Sequence, residues 1–137
     1  MGRFAVELKL ANSTDVAVAR RGLLSPEQVR RATVRGVVDT GATRLVIPTS
    51  VAEQLGATEA GETRVHYADG HTAIRKLVDD VQVELFGRKG IFRAAVEPDR
   101  TSALIGAIVL EDLDLVVDRT TQTLRPRDPK QIISEIE

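Results

Sequence analysis

The segment VRGVVDTGATRLVIP, Val34 to Pro48, sets the tightest limit on how this chain folds. The apolar pair Val37-Val38 stops at Asp39-Thr40-Gly41, and a second apolar run, Leu45-Val46-Ile47, follows almost at once. Apolar runs flanking a tight turn are expected to be two buried strands. A carboxylate at their joint then sits where water is scarce, and burying it is costly unless it is paired or hydrogen-bonded. Either the charge is exposed after all, or it is held there for chemistry.

The rest of the chain alternates in the same short-strand manner. RFAVELKL puts Phe4, Val6, Leu8 and Leu10 on one face and Arg3, Ala5, Glu7 and Lys9 on the other, a half-buried strand. Asn12 to Asp15 reads as a turn, and VAVA, Val16 to Ala19, as a second strand. Ser25-Pro26-Glu27-Gln28 fits a capping box and announces a short helix. PTSVAEQLG is a helix begun by Pro48 and ended by Gly56. Asp69-Gly70 sits between two strand-like arms and predicts a hairpin with a type I′ turn. A second hairpin is expected to turn at Gly87 to Gly90, and Asp128-Pro129 to cap a final short helix. This reading gives an all-β domain of seven to nine short strands with two or three minor helices.

Composition narrows the function classes. One domain spanning residues 1–137 is expected, its tail from about 127 to 137 peripheral. The net charge of -1 gives no sign of nucleic acid or an anionic membrane as an obligate partner. With no cysteine, disulfides, thiolate metal sites and cysteine nucleophiles are excluded together. His66 and His71 flank the expected hairpin tip and read as exposed side chains, so no metal and no cofactor are expected. No apolar run reaches the length of a membrane span, and the opening residues lack a signal-peptide core, so a cytoplasmic protein is expected.

Asp-Thr-Gly by itself is weak, recurring by chance in about one chain in thirty of this length. Its context is stronger. Apolar runs lie on both sides, and Gly41-Ala42 leaves room for a second backbone or a substrate. About 65 residues on comes ALIGA, with two aliphatics before Gly106, and the Asp69-Gly70 hairpin falls between.

In this order the chain resembles the retropepsin-like aspartic proteases, in particular small bacterial single-domain members, from about Phe4 to Pro126. The resemblance implies a closed or partly closed barrel with one or two short helices, and aspartic endopeptidase activity. It implies that Asp39 is the catalytic carboxylate, that Thr40 locks two active-site loops together, and that Gly41 allows the close turn. Ala68, Asp69 and Gly70 would form a flap tip, with Leu104, Ile105 and Gly106 passing beneath the active-site loop. Ala42, Val65, Tyr67, Ile74, Leu104 and Ile105 complete the implied substrate-binding set. The chain departs from the family in the segment containing RRGLLSPEQVRR and in its charged tail, both implied to lie near the family's dimer sheet.

Peptide hydrolysis by carboxylates needs one group as base and one as acid, and two held together share a proton. This chain carries one Asp-Thr-Gly. A catalytic reading therefore requires a C2 homodimer acting on a peptide or protein substrate. The alternative reading is a non-catalytic dimerisation or peptide-binding module on the same fold.

Overall fold

The computed structural model describes residues 3–128, 130 and 136. Among them are nine strands: β1 (Phe4–Asn12), β2 (Arg31–Val38), β3 (Leu45–Pro48), β4 (Glu59–His66), β5 (Thr72–Leu85), β6 (Arg88–Glu97), β7 (Ala103–Ile105), β8 (Leu115–Asp118) and β9 (Thr123–Pro126). Three α-helices accompany them: α1 (Ser13–Arg20), α2 (Thr49–Leu55) and α3 (Ala107–Asp112). The expected cap at Asp128-Pro129 and the apolar tail residues Ile132 and Ile133 lie outside the described residues.

Six strands close a ring in the order β1, β2, β7, β3, β6, β5, and β1 meets β5 from Lys9↔Glu84 to Asn12↔Val81. Alternation along each strand sets which side chains the ring encloses. Leu8, Leu45, Ile47, Val81, Val83 and Ile105 alternate inward and are fully enclosed. With few aromatic residues the core is aliphatic, and β-branched side chains suit the pleated wall. β4 hangs off β5 outside the ring, and β8 pairs with β9 in a sheet of its own. No helix among the described residues is long and apolar enough to cross a membrane.

Three local expectations need correction. Val16–Ala19 is not a strand but the middle of α1. Asn12 decides this. Its side chain accepts from the Asp15 N–H at 3.0 Å, capping the helix, while its amide donates to the Leu55 carbonyl at 2.9 Å. The capping box at Ser25 is present but supports only one 3-10 turn, Pro26–Gln28, before β2 begins. The hairpins also turn differently. Tyr67 and His71 close a loop in which Gly70 alone has positive φ, and the Asp69 carboxylate accepts from the His71 N–H at 3.0 Å. The two-residue turn with both φ positive is Phe86-Gly87, closed by the pair Leu85↔Arg88 and two positions earlier than the expected span from Gly87 to Gly90.

The segment between β1 and β2 is fastened by one carboxylate. Asp15 is buried and accepts from the Arg30 backbone N–H, Nε and a terminal nitrogen at 3.0, 2.8 and 3.0 Å. The side-chain hydrogen bonds from Arg30 hold the Asp15 carboxyl below its ordinary range, outweighing the opposing effect of burial. A carboxyl depressed on folding stabilises the fold above its unfolded value of about 3.9 and loses that contribution as pH falls through the lower folded value. Urea midpoints followed from pH 6 down to pH 2 should therefore show a larger loss for the wild type than for Asp15→Asn. Parallel curves would contradict the assignment.

Candidate active site

Asp39 follows directly on β2, whose last pair is Phe4↔Val38. Three backbone bonds fix its loop from below. The Asp39 N–H donates to the Ile105 carbonyl at 3.1 Å, and the N–H groups of Ala107 and Ile108 donate to Ala42 and Thr43 at 2.9 and 3.0 Å. The first turn of α3 thus uses amides that a helix start leaves without intrahelical partners. Gly106 lies against the loop so closely that a Cβ there would stand 2.6 Å from the Arg44 carbonyl and 2.8 Å from that of Ala42.

The carboxylate is neither free nor buried alone. Its Oδ1 accepts from the Gly41 N–H at 3.0 Å, and its Oδ2 pairs with the Arg3 guanidinium at 3.2 Å. The Asp39 side chain is 15% exposed, so the ion pair and the amide together offset most of the desolvation cost. The charge at the joint of the two apolar runs is therefore largely shielded from water and held by named donors.

The other expected site residues divide by geometry. Thr40 is exposed on the loop and Ala42 half-buried in it. Leu104 is half-buried and stands in register with Val37 of β2 and Val46 of β3, so these three form an apolar row beside Asp39. Ile105 differs: its side chain is fully enclosed in the core, and it serves the loop only through its carbonyl. Neighbouring residues of a strand point to opposite faces, which separates Leu104 from Ile105. In the outer hairpin Val65 and Tyr67 are half-buried, Ile74 is exposed, and Ala68, Asp69 and Gly70 form the exposed tip. Sequence reasoning missed Val37, Val46, Arg3 and Glu97. The parity of β2 and β3 could have found the two valines; no sequence signal marks the arginine or the glutamate.

Tyr67 is tied to the barrel rather than loose. Its hydroxyl donates to Glu97 Oε2, while Glu97 Oε1 accepts from Arg75 Nε at 2.8 Å. Burial, and then the bond to Glu97, push the phenol above its ordinary value. The Tyr67 ring stacks on His71 with centroids 4.3 Å apart. At the tip, the His71 N–H groups hold the Asp69 carboxyl below its ordinary range. No group of three His, Asp or Glu side chains among the described residues is placed to hold a metal.

A barrel bearing one loop-borne carboxylate, clamped by a glycine and a helix start, defines the class. The aspartyl protease family model matches residues 27–117, and the chain belongs to that family. Among solved structures it is similar to "EIAV protease complexed with the inhibitor HBY-793", with 19% identity, a TM-score of 0.57, and coverage of 81% of this chain and 88% of that one. That likeness shows the retropepsin-like fold. No curated protein matches.

Proposed function

We propose that this chain is an aspartic endopeptidase whose catalytic pair is made from the Asp39 carboxylates of two copies. The observation that carries the reading is the Asp39 loop, with Oδ1 fixed on the Gly41 N–H and the backbone clamped by α3. In the reaction, the ionised carboxylate takes a proton from water while its protonated partner donates to the scissile carbonyl oxygen. The water oxygen bonds to the carbonyl carbon. The tetrahedral intermediate then collapses, the C–N bond breaks, and the amine leaves with a proton. Leu104, Val37 and Val46 supply an apolar wall, Val65, Tyr67 and Ile74 the facing hairpin, and Ala68 to Gly70 its moving tip. In this reading Thr40 holds the two loops together, and residues 1–137 act as one domain.

Arg3 favours a second reading. Its guanidinium already occupies Asp39 Oδ2, as it would in a dimerisation or peptide-binding module whose carboxylate does no chemistry. One experiment separates the two. The protein is incubated with a diverse peptide library over a dilution series and followed by sedimentation. A shared site predicts cleavage whose specific activity falls as the protein becomes monomeric. A fully active monomer would eliminate the two-copy site, and a dimer without cleavage would favour the binding module.

A further inference from the structure

The backbone ladder between β5 and β6 ends, on the side of the outer hairpin, at Leu77↔Ala95. Beyond it β5 leaves the barrel and pairs only with β4, from Lys76 to Thr72. Two residues further along each strand lie Arg75 and Glu97, on the face that Leu77 and Ala95 share. Where the amide ladder stops, a side-chain tie takes over, Arg75 Nε to Glu97 Oε1 at 2.8 Å. The second oxygen of the same carboxylate receives the hydroxyl of Tyr67, just past the end of β4. One carboxylate therefore grips both arms of the hairpin. Arg75 also stands 5.8 Å from the centroid of the Tyr67 ring, closing the triangle.

This grip is not an ordinary surface ion pair. The side chains of Arg75 and Glu97 are only 23% and 14% exposed. Exposed pairs contribute little, whereas charge-assisted bonds shielded from water are strong. Its position matters as well. Glu97 is the last residue of β6, and the chain from there runs through Pro98–Ser102 into β7, whose Ile105 carbonyl supports Asp39. The hairpin is thus fastened to the segment that leads under the catalytic loop.

We propose that Glu97 is the anchor of the outer hairpin, a positioning residue that sets the hairpin's height over the row Val37, Leu104 and Val46. The tip, Ala68 to Gly70, has no such tie to the barrel among the described residues and opens about this fixed base. The inference rests on the proteolytic reading for its consequence, but the anchor itself is measurable without activity.

The test uses the full chain as wild type, Glu97→Ala, Glu97→Gln and Tyr67→Phe. Hydrogen exchange in the 63–75 hairpin should accelerate about tenfold in Glu97→Ala, the scale of one charge-assisted bond, while amides of the β1–β2 ladder keep their protection. Glu97→Gln keeps one acceptor oxygen but loses the charge and the second acceptor, so it should restore only part of the protection. Tyr67→Phe should loosen the β4 arm alone. On a cleaved peptide, Glu97→Ala should raise KM about tenfold with kcat little changed, because the hairpin binds substrate but does no chemistry. Unchanged exchange in both Glu97→Ala and Tyr67→Phe would overturn the anchor. Faster exchange with unchanged KM in an active enzyme would overturn its positioning role. A wild type that cleaves nothing would retire the proteolytic reading, and the exchange measurement would then decide the anchor by itself. Should Glu97→Ala fail to fold, the Gln and Phe variants carry both measurements.

Discussion

Asp39→Asn is expected to fold with nearly wild-type stability and to lose peptide hydrolysis by about 10^3-fold or more, the scale of a missing general base. The two halves of this expectation come from the two oxygens. Oδ1 accepts from the Gly41 N–H, and an asparagine carbonyl can do the same, so the loop keeps its internal bond. Oδ2 faces Arg3, and an amide NH2 there would set donor against donor. Arg3 is largely exposed and can swing into water, so the stability cost should stay below about 1 kcal/mol. The chemistry has no such escape. An amide at neutral pH cannot take a proton from water, and two of them cannot share one. Urea unfolding beside a peptide cleavage assay checks both halves. A variant within tenfold of wild-type activity would remove Asp39 from the mechanism.

Gly106→Ala is expected to damage stability and catalysis together. The residue has φ -90, so its backbone angles suit any amino acid and the objection to alanine is purely one of contact. A Cβ would meet the Arg44 carbonyl at 2.6 Å and the Ala42 carbonyl and Arg44 amide nitrogen at 2.8 Å each, all of them backbone. No flexible side chain can give way. The Asp39 loop must move off α3, which stretches the bonds from Ala107 and Ile108. Overpacking costs about 1–3 kcal/mol, and each weakened hydrogen bond adds up to about 1.5 kcal/mol. A shift of the loop approaching 1 Å lowers turnover by about 10^2-fold. The checks are thermal unfolding and kcat/KM on one peptide. A Gly106→Ala protein as stable and active as the wild type would show that the loop is not clamped as described. Gly70 supplies the contrast: open space surrounds the place its Cβ would occupy, and what resists a side chain there is its positive φ rather than contact.

These two residues were also the ones the sequence displayed most openly, and the reason is physical. Asp39 and Gly106 break apolar runs, and a polar or side-chain-free residue inside such a run needs a cause. The alternation of β1 and the ends of α2 were legible because parity and Gly56 act locally. The Val16–Ala19 stretch was not, since four alternating small apolar residues fit a helix as well as a strand. The choice fell to Asn12, whose oxygen caps α1 while its amide is held by the end of α2, 43 residues away in sequence. Ile105 misled for a related reason. In a run of three apolar residues, nothing local says which neighbour faces the core and which the opposite side. Glu97 could not be seen at all, because its partners lie 22 and 30 residues upstream and meet it only in the folded barrel.

The segment braced by Asp15 and Arg30 lies at the Ala11↔Arg31 end of the β1–β2 hairpin, while Asp39 follows the Phe4↔Val38 end. At about 3.3 Å per residue, the ladder holds the two ends roughly 23 Å apart. At the remote end Gly22 has positive φ with open space around it, and Leu23 is 78% exposed. The barrel therefore offers a natural handle at the pole opposite its carboxylate. A fluorophore or tether attached at Leu23 would leave the site untouched, and a pair of such labels would report by energy transfer when two copies of the chain come together.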